Sequence, residues 1–201
     1  MVDGLAVRTK KIDEEISKQI KNGISQVCVP GAGLDCRAWR IDSYFDEASL
    51  GKLKAVSWFE LDFPEIFDLK LNTISTIQSN SCLCGRHVPI RADLSLPGWD
   101  IILRGGEHGY DTGAPTVWLL EGFTSYLTVE EVDVFFTKMR ACACSGSVLI
   151  ATFKSANVGD NDQVCRMSTH VSFYEDPAAF VASYGWEVRE CSQLNALGAA
   201  Y

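Results

Sequence analysis

Short apolar runs alternate with stretches of helical period along most of the chain, and this alternation constrains the fold more than any other feature. QVCVP (26–30), AVSWFELD (55–62), RHVPIRAD (86–93), TVWLLEG (116–122), SVLIATF (147–153) and WEVRECS (186–192) read as six strands. Pro89 makes the third strand irregular or places it at an edge, because proline cannot donate to a ladder. Phe67, Leu71, Ile74 and Gln78 follow Pro64 at helical spacing. Thr128 and Glu131 form a capping box, with Leu127 and Val132 placed as its hydrophobic staple. Val132, Phe135, Phe136 and Met139 then make one apolar face, and Gly146 closes that segment. PAAFVASYG (177–185) reads as a helix ending just before Gly185, and 154–169 as a long loop. Strands alternating with helices predict an α/β fold, a mostly parallel sheet with helices on both faces, in one domain spanning 1–201.

Bulk composition narrows the function classes. A chain of 201 residues with 47% hydrophobic and 22% charged residues has the make-up of one globular core. A net charge of -8 and the lack of any five-residue basic run argue against nucleic acid as a partner. No apolar run approaches the ~20 residues of a membrane span, and the N-terminus lacks a signal peptide's apolar segment, so the expectation is a cytoplasmic protein. The eight cysteines then read as reduced thiols. The pairs Cys82/Cys84 and Cys142/Cys144 have one residue between them, too close for common zinc knuckles. They read as small buried side chains, with no metal.

In a parallel sheet, ligands bind beyond the carboxyl ends of the strands, where strand order reverses. The first strand ends in Gly31-Ala32-Gly33, small residues that admit close approach of a ligand with N–H groups free to point at it; a tight turn without a ligand fits as well. A dinucleotide motif would need a third glycine, and Leu34, Asp35 and Cys36 follow instead. Asp62 ends the second strand, suited either to a ribose diol or to capping the helix that Pro64 opens. Asp93-Leu94 ends the third, where a cap or turn role is also open. Glu121 follows the apolar run VWLL, and a carboxylate there calls for a cation or donor beside it. A pyrophosphate would be repelled by these carboxylates. S-adenosylmethionine, with its amine, sulfonium, ribose and adenine, would suit them, and Arg8 is a candidate for its one carboxylate.

The segments RTKKID (8–13), GAGLDCRAWR (31–40), FELDFPEIFDLK (59–70), RADL (91–94) and PTVWLLEGFTSYLT (115–128) carry a resemblance. In their order and wording the chain resembles the leucine carboxyl methyltransferase family, in its small-molecule O-methyltransferase branch. The resemblance implies a Rossmann-like class I methyltransferase fold that uses S-adenosyl-L-methionine. It implies that Arg8 binds the cofactor's carboxylate, that Gly31, with Ala32 and Gly33, forms the first loop, and that Asp62 binds the ribose. It further places Asp93 and Leu94 at the adenine, Glu121 near the methionine end and Tyr126 near the transfer site. Against the family pattern the chain is expected to be shortened at both ends, in part of the last strand and in the segment covering the substrate.

The expected activity is methyl transfer to a carboxylate or hydroxyl of a small molecule. A carboxylate acceptor needs no base, whereas a hydroxyl would draw on His108, His170 or Tyr126. Tyr126 fits a wall or an orienting hydroxyl better than a base. Arg37 and Arg40 are expected to hold the turn by pairing with Asp35 or neighbouring acids, and Trp39, Trp58 and Trp118 to lie in the core. The alternatives are a non-catalytic S-adenosylmethionine-binding module, carboxyl methylation of a protein C-terminus, and, least favoured, a nicotinamide-dependent oxidoreductase.

Overall fold

The structure is a computed structural model, and it describes residues 4–77, 82–154 and 174–192. The elements run in chain order as α1 (Gly4–Lys21), β1 (Gln26–Pro30), α2 (Glu47–Leu53), β2 (Ser57–Asp62), α3 (Pro64–Ile77), β3 (Arg86–Arg91), α4 (Trp99–Arg104), β4 (Thr116–Leu120), α5 (Val129–Cys142), β5 (Val148–Ala151) and α6 (Pro177–Ser183). Among the described residues five strands form one sheet in the order β3-β2-β1-β4-β5, and every pairing is parallel. Strand order reverses between β1 and β4, which are direct neighbours. Such a reversal opens a crevice at the carboxyl ends of the two strands.

Alternation along the strands feeds two cores. Val27, Val29, Trp58, Val117 and Leu119 face Ile12, Ile16 and Ile20 of α1 and Ile74 of α3. Cys28, Phe59, Leu61, Trp118 and Leu120 face Trp99 and Leu103 of α4 and the Phe135/Phe136/Met139 face of α5. Both sheet faces are thus covered, so the strands read as nearly continuous apolar runs. Trp39, Trp58 and Trp118 are buried as expected. β3 is an edge strand, and its Pro89, paired opposite Glu60, is tolerated there for the reason the sequence suggested. The capping box forms in both directions at Thr128/Glu131, with Leu127 and Val132 buried beside it. No helix among the described residues is long and apolar enough to cross a membrane.

Two expectations need correction. The run 186–192 forms no strand. A strand needs a ladder partner for its backbone groups; here Gly185 (φ 79) turns the chain out of α6, Trp186 N–H donates back to Val181 O at 3.4 Å, and the Trp186 ring packs under Arg140. The cysteine pairs are only half buried as pairs: Cys84 and Cys142 are buried, while Cys82 and Cys144 are partly exposed. The expected loop at 154–169 lies outside the described residues beyond Lys154, as do Gln78 and His170.

α3 carries a lysine on its buried face. Lys70, three residues after Phe67 and four before Ile74, donates to Glu60 Oε2 of β2 at 2.6 Å, and the two side chains are 1% and 0% exposed. His87 Nε2 of β3 approaches the same oxygen to 2.9 Å without the alignment of a hydrogen bond, and its ring packs on Trp39 with centroids 4.5 Å apart. The pair ties α3 to β2 just behind the strand end that carries Asp62. Leaving one member of a buried ion pair alone costs about 3–5 kcal/mol, whereas replacing both with apolar groups of similar volume is often neutral. Lys70→Met is therefore expected to lower the midpoint of thermal unfolding by at least about 6 °C, at the ~2–4 °C per kcal/mol of a chain this size. The Glu60→Met/Lys70→Met double variant should recover most of that loss, and a double variant less stable than the single would contradict this account.

Candidate functional site

The crevice is built from the ends of β1, β2 and β4 and from one face of α1. At the end of β1 the chain turns through Gly31 (φ 66) and Gly33 (φ 51), both in the left-handed region that favours glycine. A Cβ on Gly31 would sit 2.3 Å from Phe123 Cδ2, so this glycine is also required by the β4 loop pressing against it. Gly33 faces open space, with nothing within 4 Å of a Cβ built there.

The loop's N–H groups are not left for a ligand, contrary to the expectation from its small residues. Gly31 and Ala32 donate to Leu61 O of β2 at 2.8 and 3.3 Å, and Gly33 donates to Asp62 Oδ2 at 2.7 Å. The other Asp62 oxygen accepts from Phe63 N–H at 2.7 Å. Asp62 therefore ties the two loops together and does not reach into the first turn of α3 as a cap. Asp93 follows β3 and accepts from both the N–H and the hydroxyl of Ser95, at 2.9 and 2.6 Å, a turn role that the sequence had left open. Its neighbour Leu94 is buried in the core. Ala92 N–H donates to Asp62 O at 2.9 Å, so the β3 loop stands beside the Asp62 loop.

At the end of β4, Glu121 has the cationic partners its position called for. Its Oε1 accepts from Arg8 Nε of α1 at 2.8 Å and its Oε2 from Arg37 Nη1 at 2.7 Å. Arg37 pairs with Asp35, as expected from the sequence, through both its backbone N–H and Nη1. It also donates from Nε to Asp13 Oδ1 of α1 at 2.6 Å, and Arg40 Nη1 reaches the other oxygen of Asp13 at 2.6 Å. Burial alone would lower the pKa of the Arg37 guanidinium. The charges of Asp35 and Glu121, followed by the hydrogen bonds to Asp13 and Asp35, hold it above its ordinary value instead. Asp13 was missed by sequence reasoning, and the signal for it lay in the spacing Ile12, Ile16, Ile20, which marks α1 as a packed helix with Asp13 beside its apolar stripe.

The structure thus brings Arg8 and Glu121 together, sets Asp62 against Gly33, and places Asp93 on the neighbouring strand end. Tyr126 follows β4 in a short 3-10 turn, 57% exposed. His108 does not belong here: it lies between α4 and β4, and its carbonyl accepts from Arg86 at the start of β3, at the amino ends of the strands. His87, half-buried beside Glu60 near the start of β3, stands away from the carboxyl ends of the strands as well.

The sequence profile described as leucine carboxyl methyltransferase matches residues 1–140. The chain belongs to the leucine carboxyl methyltransferase family. A Mycobacterium ulcerans protein named "putative S-adenosyl-L-methionine-dependent methyltransferase" is 35% identical over 171 residues, 84% of this chain and 51% of that protein. A protein of the same name from Mycolicibacterium vanbaalenii is 31% identical over 166 residues, 83% of this chain and 50% of that one. This family member spans about half the length of the curated relatives it matches. Among solved structures, an O-methyltransferase family protein from Burkholderia thailandensis superposes with a TM-score of 0.58 at 17% identity, over 93% of this chain and 54% of that one. A DUF574 family protein from Streptomyces avermitilis gives 0.60 at 13% identity, over 95% and 66%. At these identities the likeness establishes the fold, the Rossmann-like one expected.

The two loop glycines should differ in cost when substituted. Gly33→Ala pays only the left-handed backbone penalty of about 1–2 kcal/mol. Gly31→Ala adds the collision with Phe123, where overpacking typically costs about 1–3 kcal/mol more. Urea denaturation is expected to rank wild type above Gly33→Ala above Gly31→Ala, and equal stability of the two variants would refute the Phe123 contact.

Proposed function

We propose that this chain binds S-adenosyl-L-methionine across the ends of β1, β2 and β4 and transfers its methyl group to an oxygen of a small molecule. The observation that carries this reading is the pairing of Arg8 with Glu121 at the switch point, within a chain of this family. One cation and one carboxylate set side by side match the carboxylate and ammonium of an amino-acid group. The carboxylate of Asp62 stands at the adjoining strand end, where a ribose diol can donate to it, and Asp93 and Leu94 at the next, suited to the adenine. Open space over Gly33 leaves room for such a ligand. The residues present therefore suit this cofactor.

The bound cofactor would supply an activated methyl group on a sulfonium. What the chain supplies is position: Arg8 and Glu121 orient the amino-acid end, and Asp62 and Asp93 the nucleoside. Displacement at a methyl carbon is accelerated chiefly by holding the reactants in line and excluding water. Tyr126 stands on the β4 loop as a wall or orienting hydroxyl for the acceptor. A carboxylate acceptor, with a reference pKa of about 4, arrives ionised and requires no base. The wording of EGFTSY (121–126) favours a small-molecule acceptor over a protein C-terminus.

Calorimetric titration with S-adenosylmethionine, S-adenosylhomocysteine and NAD tests the cofactor. Binding of the two sulfur nucleosides but not NAD is expected, and NAD binding alone would overturn the reading. Asp62→Asn keeps an acceptor for Gly33 N–H yet loses the charge that strengthens a diol's hydrogen bonds. It should weaken S-adenosylhomocysteine about tenfold, and unchanged affinity would remove the ribose role. Incubation with labelled cofactor and two acceptor sets, small carboxylates and phenols against peptides ending in leucine, separates the small-molecule branch from protein carboxyl methylation. Binding without turnover of either set would favour a binding module.

A further inference from the structure

We propose that Arg37 is a positioning residue for the amino-acid end of the ligand, holding Glu121 in place as the ammonium acceptor while Arg8 is transferred from Glu121 to the ligand's carboxylate. The proposal rests on the S-adenosylmethionine reading of the site. It assigns work to a guanidinium that touches no ligand.

The two oxygens of Glu121 have unlike partners. Oε1 is held by Arg8, whose side chain is 32% exposed, and Oε2 by Arg37, whose side chain is 4% exposed. An incoming amino-acid group brings one carboxylate and one ammonium. Its carboxylate competes with Glu121 for Arg8, and its ammonium competes with Arg8 for Glu121 Oε1. Insertion breaks one ion pair and forms two, and the formal charge of the crevice is unchanged.

The exchange works only if Glu121 stays where it is when Arg8 leaves. A glutamate loses rotamer entropy on being fixed, and a freed Glu121 would impose that cost on the ligand. Arg37 keeps the other oxygen throughout, because its own anchors are independent of the exchange. Nε is bound to Asp13 of α1, which Arg40 also holds, and the backbone N–H and Nη1 are bound to Asp35 of the glycine loop. One planar guanidinium thus references Glu121 to α1 and to the loop at once. An ammonium could not, lacking the fixed fork of donors.

A purely structural Arg37 would affect every ligand alike, which sets the test. S-adenosylhomocysteine carries the amino-acid end, and 5′-methylthioadenosine is the same nucleoside thioether without it. Affinities of both are measured by calorimetry, the weaker by displacement, for wild type, Arg37→Lys, Glu121→Gln and the double variant. The expected result is a loss of about tenfold or more for S-adenosylhomocysteine in Arg37→Lys, with methylthioadenosine changed by less than about twofold. In the Glu121→Gln background the same Arg37 change should cost less than about twofold, because its route is gone. Equal losses for the two nucleosides, an unchanged S-adenosylhomocysteine affinity, or full additivity in the double variant would each overturn the proposal. If Arg37→Lys fails to fold, Asp35→Asn loosens one anchor and leaves Asp13 in place. It should weaken S-adenosylhomocysteine selectively, and parallel losses for both ligands would again overturn it. A wild-type chain that binds neither nucleoside overturns the cofactor reading itself, and the assignment to Arg37 with it.

Discussion

One buried guanidinium joins three of the segments from which the crevice is made. Arg37 meets Asp13 of the first helix, Asp35 of the glycine loop and Glu121 at the end of β4. Burying a charge is costly unless its partners are close and well aligned, and removing any one of them leaves the others exposed to that cost. The packing of α1 on the sheet, the path of the loop and the aim of Glu121 are for this reason one cooperative choice rather than three. The apolar contacts of Ile12, Ile16 and Ile20 bring α1 to the sheet, but they are not directional. The carboxylate at Asp13 fixes its rotation.

A second buried ion cluster shows by contrast what makes the first one usable. Glu60 and Lys70 are sealed between β2 and α3, at 0% and 1% exposure, so their pairing cannot be exchanged for contact with a solute. Glu121 is 16% exposed and Arg8 32%, at the mouth of the crevice. There the desolvation of the pair is partial, and a ligand with matching charges can replace it. The sealed pair fixes the helix that follows Asp62; the open pair is within reach of solvent.

Much of this was legible in the sequence where the cause is local. The capping box at Thr128/Glu131, the edge position of the strand containing Pro89, the pairing of Arg37 with Asp35 and the need for a cation beside Glu121 each follow from chemistry within a few residues or from a carboxylate after an apolar run. The fold class followed from periodicity and order. Asp13 was hidden because its partner lies 24 residues away, across a helix–loop contact that no local pattern encodes. Lys70 was hidden because a helical lysine reads as solvent-facing, and only its spacing from Phe67 and Ile74 betrays the buried side. The run 186–192 has the alternation of a strand but lacks a ladder partner among the described residues, which is a property of the sheet and not of the segment.

The missing third glycine now has a physical explanation. In a loop that cradles a pyrophosphate, backbone N–H groups face the anion. Here Gly31 and Ala32 donate to Leu61 O, and Gly33 donates to the carboxylate of Asp62. With those donors turned toward β2 and acids at the ends of β2, β3 and β4, the loop itself offers little to a polyanion. On the reading proposed above, recognition of negative charge falls to Arg8, a partly exposed guanidinium already shared with Glu121. Under that proposal the site would discriminate by charge pattern, accommodating a single carboxylate accompanied by an ammonium and disfavouring two adjacent phosphates. Gly31 serves close packing against Phe123, and the position of a dinucleotide loop's last glycine is held by Cys36, a partly exposed side chain that no pyrophosphate has to approach.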